Sequence, residues 1–399
     1  MEEIKTFPYN KTTFLLTGAT GFLGSHLMAS LLSLDCKLII PGRSNQNESI
    51  EIRIRKILRW FNLEHRILQL EIVEADYMKP HWGIPIEKYK ELCQKTDQII
   101  HCASDHSFSE YNRTQVMAAN ISCLTGILRF ATHSKVSYFH HISTAFVAGK
   151  RDCICPEEPV HSSVFTNVYE ESKAFAEQII SAHCRKHKIP LTTIRPTIVY
   201  GCAESGRSFR FNALYYPIRS LQYIRDIYLH DILYHNGKRS SQAGVLLDKK
   251  GILHLPLTIY LPQEGFINLI SVEFFTTTVL RIIANAVPWK IYHISSNTPV
   301  NMEILAKYSE KLLKVKGIKI FYKRPAFDLE RNLVEELFDH FIEPYIPYLF
   351  DRRVFLKENT DLATGGLCAP EFTFETFERF MHGVTDAEWS KKMNELSSY

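Results

Sequence analysis

The chain has 399 residues, 45% hydrophobic, 12% aromatic and 23% charged, with a net charge of +4; this excludes disordered, fibrous and small disulfide-rich classes and gives no concentrated basic stripe for coating nucleic acid. Nine cysteines at irregular spacing read as reduced thiols and point to the cytoplasm. No run approaches the ~20 apolar residues of a membrane span, and the acidic, proline-broken start MEEIKTFPYN is expected not to be a secretory signal.

The first half alternates β-rich runs with amphipathic stretches. Strands are expected over 14–17, 37–40, 72–75, 98–101, 138–142 and 191–195, with helices over 23–33, 50–61, 114–133 and 169–187. Strands separated by helices predict an α/β fold, a Rossmann-type doubly wound parallel sheet covered on both faces. The alternation stops near Gly206, and residues 207–265 show no clear period. A strand-like IYHIS follows at 291–295 after the run 268–284, and a polar helix is expected over 302–316. The expected organisation is a nucleotide-binding domain over 11–205, completed by about 266–296, with a smaller C-terminal substrate lobe from 206–265 and 297–399.

Directly after the first strand stands Thr17-Gly18-Ala19-Thr20-Gly21-Phe22-Leu23-Gly24, running into a helix. Glycine lets the chain turn sharply, approach a pyrophosphate and pack helix against sheet, and the helix N-terminus offers N–H groups and a favourable dipole to the anion. Strand before and helix after give this triplet its meaning. At the end of the second strand an Asp or Glu would bind the ribose 2′-OH of NAD. The chain instead reads Ile40-Pro41-Gly42-Arg43-Ser44, so Arg43 is expected to pair with a 2′-phosphate and favour NADPH. A solvated surface arginine is the alternative.

Tyr169-Glu170-Glu171-Ser172-Lys173 puts Tyr and Lys four apart on one helical face. Thr144 lies upstream at a strand end, in Ile142-Ser143-Thr144. A phenol is a poor acid–base at neutral pH unless a cation stabilises its anion, which Lys173 would do. Tyr169 would then donate a proton to an oxygen that becomes negative, and Thr144 would hydrogen-bond the same oxygen.

Glycine turn, strand-end hydroxyl and Tyr–Lys pair come in the order of the short-chain dehydrogenase/reductase superfamily, and the spacing resembles its extended branch. Asn120 resembles the family asparagine that helps relay protons through ordered water, although Ile121-Ser122-Cys123-Leu124 follows it in place of Val-x-Gly-Thr. Ala75-Asp76-Tyr77-Met78-Lys79-Pro80-His81-Trp82-Gly83 resembles the Gly-Asp-x-x-x-Pro-x-x-Gly segment of thioester reductases and fatty acyl-CoA reductases (the male-sterility-type family), with Ala75 in place of Gly. The resemblance gives Asp76 a contact with the adenine amine. It places Ala103, in His101-Cys102-Ala103-Ser104, beside the cofactor, and Pro196 and Ile198, in Arg195-Pro196-Thr197-Ile198-Val199-Tyr200-Gly201, near the nicotinamide. Thr197 stands where reductases of peptide thioesters commonly carry glycine, which leans to the fatty-acyl side. Asn268-Leu269-Ile270-Ser271-Val272-Glu273, Tyr345-Ile346-Pro347-Tyr348 and Asn359-Thr360 are similar to later elements of the same family.

The resemblance implies NADPH-dependent reduction of an acyl thioester, on coenzyme A or on an acyl carrier protein supplied in trans, to an aldehyde and onward to an alcohol. A nucleotide-sugar epimerase or dehydratase, or a hydroxysteroid-type dehydrogenase, is the competing reading. Ala145 and Phe146 supply no acid beside Thr144 for a dehydratase, and Arg43 argues against the NAD of epimerases. Arg207, Arg210, Arg219, Arg225, Lys238 and Arg239 could attract a phosphopantetheine arm or face solvent. The aromatic stretch 209–228 reads as lobe core. His101, His106, His140 and His141 have no metal-ligand spacing, Cys153-Ile154-Cys155 lacks a second pair, and no metal is expected.

Overall fold

Seven parallel strands form the central sheet of the computed structural model, which describes residues 7–150, 154–160, 162, 164–206, 215–322 and 330–385. In chain order its elements are β1 (Thr13–Thr17), α1 (Phe22–Ser33), β2 (Lys37–Gly42), α2 (Ile50–Trp60), β3 (Leu70–Glu74), α3 (Ile86–Lys95), β4 (Gln98–His101), α4 (Arg113–Met117), α5 (Leu124–Ser134), β5 (Tyr138–Ile142), α6 (Val168–His187), β6 (Leu191–Pro196), α7 (Val272–Ala284) and β7 (Ile291–Ile294). The strand order is β7-β6-β5-β4-β1-β2-β3, so the order reverses between β1 and β4. At such a switch point the flanking loops part and leave a crevice at the carboxyl ends of the strands. The expected doubly wound sheet is present.

Covered on both faces, the inner strands are buried along their length rather than alternating, β4 and β6 at every residue. Phe14, Leu15 and Leu16 are buried, as are Leu38, Ile39 and Ile40. One core packs Leu15, Ile39, Ile99 and Phe139 against Ile127 and Phe130 of α5 and Ile180 of α6. His140 bonds Thr192 at 2.7 Å and Gln98 at 2.9 Å, tying three strands together.

The helix expected over 114–133 is interrupted. Between α4 and α5 the chain widens into a π-turn, Ala118–Ser122, at whose centre lies the buried Asn120. The expectation failed because the local sequence has no helix breaker; the disruption accompanies hydrogen bonds from Asn120 to distant backbone, described below. Helix α3 carries a clear amphipathic pattern that the sequence reading passed over.

By internal contacts, one compact unit comprises residues 1–197, 272–295 and 354–368, and a second comprises 198–271, 296–353 and 369–399. In the second, the parallel strands Leu253–Leu261 and Val315–Tyr322 pair, with Leu246–Leu247 antiparallel at the edge. Helix Tyr215–Tyr234 buries Tyr215, Ile218, Leu221, Ile224 and Tyr228 in a core shared with Phe372, Phe377 and Phe380. The described part of the aromatic stretch is thus lobe core; residues 209–214 lie outside the described residues. The polar helix ends at Leu313 rather than 316, because Lys314 takes a left-handed φ of 52° and Val315 opens the next strand.

Candidate active site

The glycine turn is built by close approach of backbones. Gly18 has φ +74°, and a Cβ there would lie 2.6 Å from the amide nitrogen of Ala103; at Gly24 it would lie 2.2 Å from the Gly18 carbonyl oxygen. Larger residues would push β1 away from the β4 loop, and α1 away from the turn. Thr17 locks the same junction, accepting from the amides of Cys102 and Ala103 at 3.2 Å and bonding His101 Nδ1 at 2.9 Å. Gly21 caps α1 without a side chain, and no acidic residue occupies the first turn, so nothing negative competes with a pyrophosphate at Phe22, Leu23 and Gly24. The cradle fits a dinucleotide.

At the end of β2, Arg43 is exposed. The sequence reading missed its neighbour Arg53, in the first turns of α2. Arg53 donates to the Thr20 hydroxyl at 2.8 Å and to the Arg43 carbonyl at 3.0 Å, so a second guanidinium spans the glycine turn and the β2 end. The signal available was an arginine ten positions past Arg43 on a helix following the second strand. Ser44 gives its amide, at 2.7 Å, and its hydroxyl to Glu74, which engages the nearby carboxylate.

Asp76 sits in a loop held from beneath. Tyr77 donates to the Pro41 carbonyl at 2.7 Å, and Trp82 stacks on Phe130 with ring centroids 4.4 Å apart. The loop reaches α5 because Gly126 has no side chain: a Cβ would lie 2.1 Å from the Tyr77 carbonyl oxygen. Asp76 accepts from the amide of Met78 at 3.1 Å and stays one-third exposed. The half-buried Cys123 feels both Arg43 and Asp76, which brings these two to one end of the crevice.

Thr144 follows β5 and Tyr169 and Lys173 lie on α6, which Asn167 caps through the Glu170 amide at 3.1 Å. Thr144 lies close enough to the Tyr169 phenol to lower its pKa, against the larger raising effect of burial. Lys173, almost fully buried, donates from Nζ to the Ile142 carbonyl at 2.7 Å. Burial lowers its pKa to about 8, against the opposing influence of Cys102 and Glu177. The structure therefore brings Thr144, Tyr169 and Lys173 together. Asn120 Nδ2 donates to Ser172 at 2.9 Å and to the Asp105 carbonyl at 3.0 Å, while its Oδ1 accepts from the Asp105 amide at 2.7 Å. Its amide thus fastens the loop after β4 to α6. Two rings of that loop cover Tyr169: His106 at 5.7 Å and Phe108 at 5.8 Å between centroids.

Pro196 ends β6, and its carbonyl lies 3.5 Å from Thr144 Oγ1. Ile198 belongs to the second unit, where the strand Ile198–Tyr200 pairs with Leu269–Ser271. Arg225 pairs with Asp226 at 2.8 Å, Arg219 is half-buried, and Lys238 and Arg239 are exposed; Arg207 and Arg210 lie outside the described residues, as does Cys153. Among the described residues no group of three His, Cys, Asp or Glu is placed to hold a metal, and no helix is long and apolar enough to cross a membrane.

The sheet order, glycine cradle and Thr–Tyr–Lys cluster define an NAD(P)-binding domain of the extended short-chain dehydrogenase/reductase type. A family model described as male sterility protein, an NAD-binding family, matches residues 16–238, and the chain belongs to that family. A linear gramicidin synthase of Brevibacillus parabrevis is 28% identical over 270 residues, 63% of this chain but 5% of that protein. Fatty acyl-CoA reductase 2 of Bos taurus is 32% identical over 149 residues, 35% of this chain and 29% of the relative. The chain thus spans well under two thirds of these relatives. In fold it is similar to the terminal R domain of the myxalamid PKS-NRPS pathway, with a TM-score of 0.72, 20% identity and coverage of 94% of this chain and 90% of that one. UDP-glucuronic acid 4-epimerase of Bacillus cereus is more distant, at a TM-score of 0.61 and 14% identity over 94% of this chain and all of the other.

Proposed function

We propose that the chain reduces an acyl thioester, carried on coenzyme A or on a carrier protein supplied in trans, to an aldehyde with NADPH. The convergence of Thr144, Tyr169 and Lys173 beside the dinucleotide cradle carries this reading. Membership of a family whose relatives include fatty acyl-CoA reductases supplies the substrate class. The pyrophosphate would lie on Gly18, Thr20, Gly21, Phe22, Leu23 and Gly24, the adenosine end between Arg43, Arg53 and Asp76, and the nicotinamide end near Ala103, Lys173 and Pro196. The paired arginines favour a 2′-phosphate and therefore NADPH. The second unit is proposed as the acyl-binding lobe. The irregular spacing of the nine cysteines supports a reducing compartment such as the cytoplasm.

NADPH, when bound, supplies the hydride that converts the thioester carbonyl into a tetrahedral oxyanion. Tyr169, kept protonated by burial, gives its phenolic proton to that oxygen, and Thr144 holds the same oxygen by a hydrogen bond. Lys173 stabilises the phenolate that remains. Asn120 keeps the loop over Tyr169 in place. The hemithioacetal then expels its thiol and leaves the aldehyde; a second round gives the alcohol.

The test is NADPH oxidation with acyl-CoAs of graded chain length and with carrier-bound acyl groups, the products identified by mass spectrometry. Aldehyde or alcohol formed in step with thiol release supports the reading. Failure to consume any acyl thioester overturns it.

A further inference from the structure

Expelling a thiol requires a proton that the Thr144–Tyr169–Lys173 cluster does not supply. When the hemithioacetal collapses, Tyr169 must take back the hydroxyl proton, so it cannot also protonate the sulfur. An alkyl thiolate, with a conjugate-acid pKa of ~8.5, is expelled faster when an acid meets its sulfur.

His106 is exposed and lies over the Tyr169 ring, the two planes tilted by 21° with centroids 5.7 Å apart. The loop that carries it is fastened on both sides. Asp105, immediately before, is held at its amide and its carbonyl by Asn120. Ser107, immediately after, donates its amide to the Asp105 carboxylate at 2.9 Å and accepts from Asn112 at 3.0 Å. Histidines 101 and 140, by contrast, lie buried within the sheet and are held neutral by burial. A thioester sulfur is bonded to the carbonyl carbon, so a substrate whose oxygen meets the Tyr169 hydroxyl has its sulfur two bonds away, and His106 is the imidazole stacked on Tyr169.

We propose that His106 is the acid that protonates the departing thiolate. This rests on the thioester reading above. The hemithioacetal O–H proton returns to Tyr169 Oη, the oxygen pair re-forms C=O, and the C–S bond breaks with its electron pair on sulfur. The imidazolium proton of His106 forms the new S–H bond, and solvent reprotonates the ring. An imidazolium is in general a stronger acid than an alkyl thiol, so transfer to the thiolate runs downhill. The reductant for the preceding step is a reduced nicotinamide dinucleotide, so no other co-reactant is needed.

The experiment compares an S-alkyl (N-acetylcysteamine) and an S-phenyl thioester of the same acid, using the full chain with NADPH. Thiophenol is far the stronger acid and leaves without help. His106→Phe keeps a ring over Tyr169, and His106→Gln keeps a hydrogen-bonding group; NADPH affinity by fluorescence and the melting temperature report that both variants retain the cofactor site and fold. Both variants are expected to lose about 10²-fold on the alkyl thioester and under about threefold on the phenyl ester. Equal losses on the two esters, or none on either, overturn the role of His106 and leave the thioester reading standing. A wild-type chain that consumes neither ester overturns both.

Discussion

Arg195 and Glu177 form a buried, two-pronged ion pair: Nε donates to Oε1 at 2.9 Å and Nη2 to Oε2 at 2.6 Å. The remaining Arg195 nitrogen, Nη1, donates to the Glu158 carbonyl at 2.9 Å. The pair ties β6, which ends at Pro196, to α6, which carries Tyr169 and Lys173. Two segments that resemble family motifs, one holding the Tyr–Lys pair and one holding Arg-Pro, are therefore coupled through this ion pair. Breaking such a pair from one side leaves an unpaired buried charge and costs about 3–5 kcal/mol, whereas apolar replacement of both is far milder. Arg195→Met and Glu177→Leu are each expected to destabilise on that scale, and the double variant by much less than their sum. A double-mutant cycle by urea unfolding measures this; strict additivity would remove the pair as the link between sheet and helix.

Tyr169→Phe removes the proton while leaving the cradle untouched. Turnover is expected to fall by about 10²–10⁴-fold with NADPH affinity unchanged. Steady-state kinetics together with fluorescence titration of NADPH separate the two effects, and retained turnover contradicts the acid role.

The Lys173 ammonium titrates near 8 in the folded chain, down from 10.5, because burial disfavours its charge. The cation is present below that pH and is lost as pH rises, so kcat/KM is expected to fall above pH about 8. The unfolded chain holds this proton more tightly, so the stability cost of the buried charge shrinks as pH climbs from about 8 to 10.5. Lys173→Arg keeps the charge at all these pH values; its pH profile is expected to lack this alkaline limb even where its rate is reduced.

Arg43→Ala and Arg53→Ala distinguish the two nucleotides. Each lost charge-assisted contact with a 2′-phosphate is worth about 1.5–3 kcal/mol, or roughly 10- to 150-fold in affinity. Both variants are expected to weaken NADPH by such factors. Arg43→Ala should leave NADH nearly unchanged, whereas Arg53→Ala should weaken it modestly through the released Thr20. Isothermal titration with both nucleotides provides the comparison, and equal losses for the two would show that neither arginine reads the phosphate.

What was legible in the sequence lay within single elements. Gly18, Gly21 and Gly24 occupy one turn, and Tyr169 and Lys173 one helical face, so spacing alone placed them. Arg53 escaped because its place at the cradle depends on how α2 docks against the glycine turn. The π-turn around Asn120 escaped because residues 118–122 contain no breaker, and the bonds that accompany it reach Asp105 and Ser172. Asn359 and Thr360 were recognisable as a family element, but their work was not: with the His293 amide, at 2.6 Å, they satisfy the half-buried Glu157 carboxylate, the Thr360 hydroxyl at 2.7 Å. The strand Leu253–Leu261 alternates buried and part-exposed residues, and Pro256 within it obscured the period.

His140 sets an acid limit on the fold. Its Nε2 donates to Gln98 Oε1 and its Nδ1 hydrogen-bonds the Thr192 hydroxyl, so the ring is fully partnered inside the sheet. Burial holds its pKa down to about 3, and that of His101 to about 3 as well. The unfolded chain, at 6.5, therefore binds more protons than the folded one between these values. The stability these rings contribute is fully present above pH 6.5 and is lost progressively as pH falls toward about 3. Each is expected to contribute a slope of up to ~1.4 kcal/mol per pH unit in that window. His140→Gln should lower the urea midpoint at pH 7 through lost packing, yet give a shallower decline between pH 6 and pH 5 than the wild type. An unchanged slope would mean that His140 takes up its proton without unfolding.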